Sequence, residues 1–178
     1  RGLATSQSRI STQPEPSDGK ASARAQPKSA RPAASSALAA LPLPTPARAG
    51  SQFVWPVDGD VVAKFGPAGK GLHNDGINIS VLRGATVKAA ENGVVAYSGN
   101  ELQGFGNLLL IKHADGWMSA YAHNEQLLVK RGDRVQRGQE ISRAGQTGSV
   151  RSPQLHFELR RGTRAVDPLD YLARRQSS

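Results

Sequence analysis

Apolar residues recur at every second position through much of the C-terminal part of the chain. In "QLHFELR" (154–160), Leu155, Phe157 and Leu159 alternate with Gln154, His156, Glu158 and Arg160, which is the period of a half-buried strand. Comparable short runs are "DVVAKF" (60–65), "GINIS" (76–80), "GVVAYSG" (93–99), "NLLLIKHA" (107–114) and "WMSAYAH" (117–123). Turn signals such as "DGD", "ENG", "ADG" and "RGD" separate them at hairpin intervals. The pattern predicts an almost all-β domain. Only the end carries helical signals, where "VDPLDYLARR" offers Asp167 as an N-cap and Pro168 as the first helical residue. "RGATVKAAENGVVAYSG" and "RGDRVQRGQEISRAG" echo each other. Two such copies suit paired hairpins in a sandwich, whereas a propeller or solenoid needs more.

The alternation starts at Gln52. Residues 1–50 are dominated by Ala, Ser, Pro, Gln and Arg and contain no aromatic residue, so little there offsets the entropy of ordering. They are expected to form a basic, flexible linker, with "LPLPTP" locally extended, ahead of a folded domain at 51–178. Of the formal net charge of +9, the linker supplies +5, from seven Lys/Arg against two Asp/Glu. Such a tail either solubilises the chain or sits against an anionic neighbour such as a cell-wall polymer, a lipid headgroup or a nucleic acid. A nucleic-acid partner gains no support from the folded part, which has no basic motif interleaved with aromatic residues for stacking on bases. The absence of cysteine excludes disulfides, thiolate zinc sites and a cysteine nucleophile. No run is long and apolar enough to span a bilayer. The chain opens at Arg1 without a methionine or a signal-peptide pattern, and is expected to be the C-terminal piece of a longer protein.

Four histidines are the candidates for chemistry: His73, His113, His123 and His156. Strand parity puts His156 beside Gln154 and groups Trp117, Ser119, Tyr121 and His123 on one face. His113 precedes the "ADG" turn and is expected to hydrogen-bond it.

"GLHNDGINI", "AENGVVAYSG", "GNLLLIKHADGWMSAYAH", "VKRGDRVQRGQEISRAGQTG" and "SPQLHFELRRG" followed by "VDPLDYL" together resemble the lysostaphin-like, or LytM-type, peptidoglycan peptidase domain, from about Phe53 to Leu172. The resemblance implies a small antiparallel sandwich crossed by a groove. It also implies a zinc site in which a His-x-x-x-Asp pair and the last histidine of a His-x-His bind the metal, assisted by two further histidines. In this chain Asn74 and Asn78 stand at the first histidine and the aspartate, and Gln154 replaces the first histidine of His-x-His. His156 and the histidine that ends the "YAH" strand, His123, are retained.

Catalytic zinc needs three protein ligands drawn from imidazole, thiolate or carboxylate. Two asparagine amides leave His156 as the one competent donor, so no metal, no cofactor and no catalytic residue are expected. Asn74, Asn78, His123, Gln154 and His156 are expected to line a groove that binds rather than cuts. The resemblance implies a regulator in the periplasm, or more broadly the bacterial cell envelope. It would bind and activate peptidoglycan hydrolases, notably amidases, in cell division, with peptidoglycan itself as a further expected contact. One alternative is an active zinc endopeptidase with a shifted ligand set of His73, Asp75 and His156, against which stands the opposite strand parity of His73 and Asp75 relative to Asn74 and Asn78. A remoter one is a biotinyl- or lipoyl-type carrier, suggested by the paired hairpins around "GDRVQRGQ". It would need a modifiable lysine beside a small residue or methionine, and Met118 has none beside it.

Overall fold

The computed structural model of the protein describes residues 44–175. The strands in chain order are β1 (Asp60–Ala63), β2 (Gly66–Pro67), β3 (His73–Asn74), β4 (Ile77–Ser80), β5 (Thr86–Lys88), β6 (Gly93–Gly99), β7 (Asn107–Lys112), β8 (Trp117–Leu127), β9 (Arg134–Val135), β10 (Glu140–Ala144), β11 (Gln154–Arg161) and β12 (Arg164–Val166). All pairings among them are antiparallel. The main sheet runs β1-β4-β11-β8-β7-β6-β9, with β12 on β11, and the far end of β8 pairs with β10, which carries β5. β2 and β3 form a separate two-stranded ribbon beside β4. The almost all-β domain expected from the alternating pattern is therefore what the chain forms.

The two echoing segments interlock. The first repeat's short strand β5 pairs with the second repeat's β10, while the second repeat's short strand β9 pairs with the first repeat's β6. Gly84 and Gly132 occupy equivalent points of the two copies. Each has a positive φ, 82° and 92°, and each donates its N–H across the pair, to Ala144 O at 2.7 Å and Val95 O at 2.8 Å. Arg-Gly recurs because this turn needs a left-handed residue.

Alternation along β4, β8 and β11 sends Ile77, Ile79, Ser119, Tyr121, Leu155, Phe157 and Leu159 into one core, where they are joined by Val87, Val135 and Ile141 from the interlocked arms. Phe53 closes it. Its N–H bonds Tyr171 O at 2.9 Å and its carbonyl accepts from Ala173 N at 2.8 Å, so the two ends of the domain meet.

Two expectations are revised. The C-terminal helix is a single 3₁₀ turn, Pro168–Asp170, although Asp167 does cap it by accepting from Leu169 N at 2.9 Å. The chain then turns extended, because the backbone groups of Tyr171 and Ala173 are committed to Phe53 and a helix would withdraw them. His113 does not bond its own turn through its side chain. Its ring is buried, with Nδ1 at 2.7 Å from Asn92 O and Nε2 at 2.7 Å from Ser119 Oγ.

Of the segment expected to be linker, residues 1–43 lie outside the described residues, as do 176–178 at the other end. Ala47–Gly50 are packed on the domain. Ala49 N and Gly50 N donate to the carboxylate of Glu91 at 2.8 and 3.2 Å, and Asn92 Nδ2 donates to Ala47 O at 3.0 Å.

Candidate functional site

The polar face of β4 and β11 is the outer side of the alternation that builds the core. Register places Asn78 opposite His156 and Ser80 opposite Gln154, so Asn78, Gln154 and His156 stand together as strand parity requires. β3 brings Asn74 to the same place. Its Nδ2 donates to Asn78 Oδ1 at 3.2 Å and to Lys64 O at 3.0 Å, and Asn78 Nδ2 donates on to Gln154 Oε1 at 2.9 Å.

His123 arrives there against its parity. Trp117, Ser119 and Tyr121 face the core, and simple alternation would bury His123 with them. Instead its φ is 66°, the pairing of β7 with β8 slips at this point, and the ring turns to the groove side, 6.2 Å from the ring of His156. The expected grouping of His123 with Trp117, Ser119 and Tyr121 is therefore wrong, because a left-handed residue reverses the face of a strand. His123 N donates to Phe105 O at 2.8 Å and its carbonyl accepts from Gly145 N at 3.0 Å, which fixes the bulge.

The groove wall is made where the loops at 104–106 and 147–149 meet at backbone contact. A Cβ on Gly148, whose φ is 80°, would lie 2.5 Å from Gly104 O, so only glycine fits. The wall carries Phe105, Ser149 and Val150, which with His123, His156 and Asn78 line a cavity of about 380 Å³. Asn74 and Gln154 lie beside this cavity rather than in its lining. Phe105 was not foreseen, although an aromatic residue between two glycines in "GFG" is a signal that could have found it. Glu158 was missed too, although it shares the parity of Gln154 and His156.

His156 is held by hydrogen bonds on both sides of its ring. Nδ1 lies 3.0 Å from Asn78 Oδ1 and Nε2 lies 3.1 Å from Glu158 Oε1, and Arg160 donates to the other carboxylate oxygen at 2.7 Å. Both partners of the ring, Asn78 Oδ1 and Glu158 Oε1, are oxygen atoms that can accept, so each ring nitrogen faces one. Burial pushes the Glu158 carboxyl up, but the hydrogen bond and charge of His156 and the Arg160 guanidinium outweigh it and hold the group below the usual carboxylate range.

These residues do not fit the zinc that the LytM resemblance implies. The three positions present two neutral amides and one imidazole, and both nitrogens of that imidazole face hydrogen-bond acceptors. The shifted set fares no better. His73 pairs with Asp75 at 3.1 Å on the exposed side of the ribbon, Asp75 leans to Arg160 at 3.8 Å, and His156 belongs to Glu158. Among the described residues no three His, Cys, Asp or Glu side chains are grouped so as to hold a metal ion.

Comparison with known proteins identifies the family of this fold. The cell division protein DipM of Caulobacter vibrioides is 47% identical over 109 residues, which is 61% of this chain and 18% of that protein. The murein hydrolase activator NlpD of Escherichia coli is 44% identical over 125 residues, 70% of this chain and 32% of the relative. The chain thus spans less than a third of the length of either. Among solved structures, a zinc-containing peptidase from Vibrio cholerae superposes with a TM-score of 0.62 at 32% identity, over 66% of this chain and 39% of that one. The catalytic domain of lysostaphin from Staphylococcus simulans superposes at 0.55 with 29% identity, over 64% and 89%. The sequence profile of Peptidase family M23 matches residues 72–168. That stretch covers more than half of the sequence and includes every groove residue named above, and the chain belongs to Peptidase family M23.

Proposed function

We propose that the domain is a catalytically inactive member of its family that binds a peptidoglycan hydrolase through the groove and activates it, acting in the bacterial cell envelope during cell division. The observation that carries this reading is the state of the former metal positions. Asn74, Asn78 and Gln154 form a chain of amide hydrogen bonds that His156 joins through Nδ1, and Glu158 and Arg160 complete it. A peptidase needs a bound metal or another means of activating water at that point, and this network puts two neutral amides and one hydrogen-bonded imidazole where three metal donors are required. What it does offer is a preformed polar floor beside an apolar wall, the ordinary composition of a binding site. Similarity to a murein hydrolase activator and to a cell division protein supports the choice of a hydrolase as partner. The narrower choice, a cell-wall amidase, rests on the sequence resemblance to division-associated LytM members.

Two measurements test it. Elemental analysis after zinc loading and desalting should find far less than one zinc per chain, and near one would revive the set of His73, Asp75 and His156. Asn78→Arg places a bulky cation in the middle of the groove and should cost about 2 kcal/mol or more in affinity for the hydrolase, roughly thirtyfold. Full activation by a normally folded Asn78→Arg chain would move the partner elsewhere.

A further inference from the structure

Within that groove, we propose that the cavity between Phe105, His123, Val150 and His156 receives an aromatic side chain carrying a hydrogen-bond donor, a tyrosine or tryptophan of the partner protein. The proposal rests on the activator reading and adds to it the chemistry of the occupant.

The first observation is His123. Its ring donates from Nδ1 to the Thr147 carbonyl at 2.8 Å, so in the neutral ring the unprotonated nitrogen is Nε2. The residue is 7% exposed, and among the described residues no hydrogen bond reaches Nε2. His123 lines a cavity of about 380 Å³ that opens to solvent, and Nε2 is not among the fully buried atoms left without a partner, so it is reachable from the groove and water serves it until a donor displaces that water. Burial lowers the basicity of the ring, more than the Thr147 contact raises it, and neighbouring His156 lowers it further. With Nδ1 committed to Thr147 as donor, a group entering the cavity meets Nε2. A second observation concerns cost. A non-glycine residue at positive φ carries strain of about 1–3 kcal/mol and persists where the surroundings enforce it. Core packing would be served by an ordinary strand residue here, and what the reversal gains is an imidazole in the groove.

The rest of the lining narrows the donor. Phe105 is 38% exposed and its ring lies 6.2 Å from that of His156, so with Val150 the wall is apolar and largely aromatic. The lining has no carboxylate, lysine or arginine, and His156 has both ring nitrogens committed, which leaves nothing to pair a charged occupant. A cavity of about 150 Å³ already accepts benzene, so there is room for a phenol or indole. Tyrosine and tryptophan combine an apolar body with a single donor, and they are the residues that commonly anchor interfaces. A serine hydroxyl or a backbone N–H would meet Nε2 but leave the face of Phe105 uncovered.

Indole and benzofuran are the probes, since they share shape and differ in the N–H. With the full chain, nitrogen and proton spectra should show saturable indole binding centred on His123 and Phe105, and benzofuran should bind at least ~10-fold more weakly, because it displaces water from Nε2 and leaves that acceptor unpaired. His123→Asn, an exchange that tolerates the left-handed backbone, should erase that preference while circular dichroism stays unchanged. Equal binding of the two probes, or shifts remote from His123, overturns the assignment even where Asn78→Arg abolishes hydrolase activation. Full activation by Asn78→Arg overturns the groove reading itself, and the partner site with it.

Discussion

His113 shows how one buried side chain sets the acid sensitivity of the domain. It bridges Asn92 O and Ser119 Oγ, Ser119 Oγ reaches the hydroxyl of Tyr121 at 2.9 Å, and that hydroxyl accepts from Ala90 N. Burial pushes the imidazole down to about 4, against the partial opposition of Asn92 and Glu91. Between the ordinary value of 6.5 and about 4, the unfolded chain binds a proton here that the folded chain refuses. Stability is therefore complete above that window and is lost as pH falls through it. A shift of this size is worth roughly 3 kcal/mol, so thermal melts from pH 7 to pH 4 should show a drop of several degrees that His113→Gln flattens. From the lower end of that range downward Glu158 and Glu91 are acid-labile too, since the stabilisation of each is present above the usual carboxylate value and disappears as pH falls through its lowered one. The former metal site makes a second prediction at this scale. The pair Asn74→His and Asn78→Asp restores two competent donors beside His156, and zinc binding should return towards one per chain by elemental analysis. Gln154 still stands where the resemblance expects a catalytic histidine, so digestion of purified cell walls should not return.

At the scale of elements, the N-terminal approach to the sheet is a clamp. Glu91 is fully buried and accepts from Ala49 N, Gly50 N, Asn92 N and Arg137 Nη1, while Arg48 lies over the ring of Phe53 at 4.6 Å. Burial raises the carboxyl of Glu91, but those donors and the charge of Arg137 together hold it below its usual value. A chain that begins at Ser51 loses two of these hydrogen bonds and leaves the buried carboxylate to Asn92 N and Arg137 alone, at about 1–3 kcal/mol. Its melting temperature should fall by several degrees, while a chain that begins at Pro44 should melt close to the full-length one. Equal melting of the two shortened chains would show that Ala47–Gly50 contribute nothing. This clamp was hidden in the sequence because it is made by backbone N–H groups of a low-complexity segment. The same physics decided what else was legible. "GVVAYSG" and "QLHFELR" are long enough to show period two, and both are strands over 93–99 and 154–161. β2, β5 and β9, at two or three residues, are too short to carry a period, and only pairing reveals them. Asn78, Gln154 and His156 followed from parity, whereas His123 reached the groove through a backbone reversal that parity cannot foresee.

For the whole molecule, the fold is that of Peptidase family M23, and the positions that the LytM resemblance assigns to the metal carry Asn74, Asn78 and His156. The loops at 104–106 and 147–149 still raise a wall over the sheet, β11 and β4 still present a polar floor, and amides occupy the places of metal donors. On the proposed reading, a surface preformed in this way binds its partner without first ordering itself, which favours affinity. The proposal that it binds and activates a hydrolase is tested most directly by dye release from labelled cell walls, run with the purified chain alone, with a cell-wall amidase alone, and with both, in the presence of zinc. The expected result is no release by the chain alone and a faster release by the amidase when the chain is added. Release by the chain alone that is abolished by a chelator and by His156→Ala would contradict it, and would show that the groove still cuts.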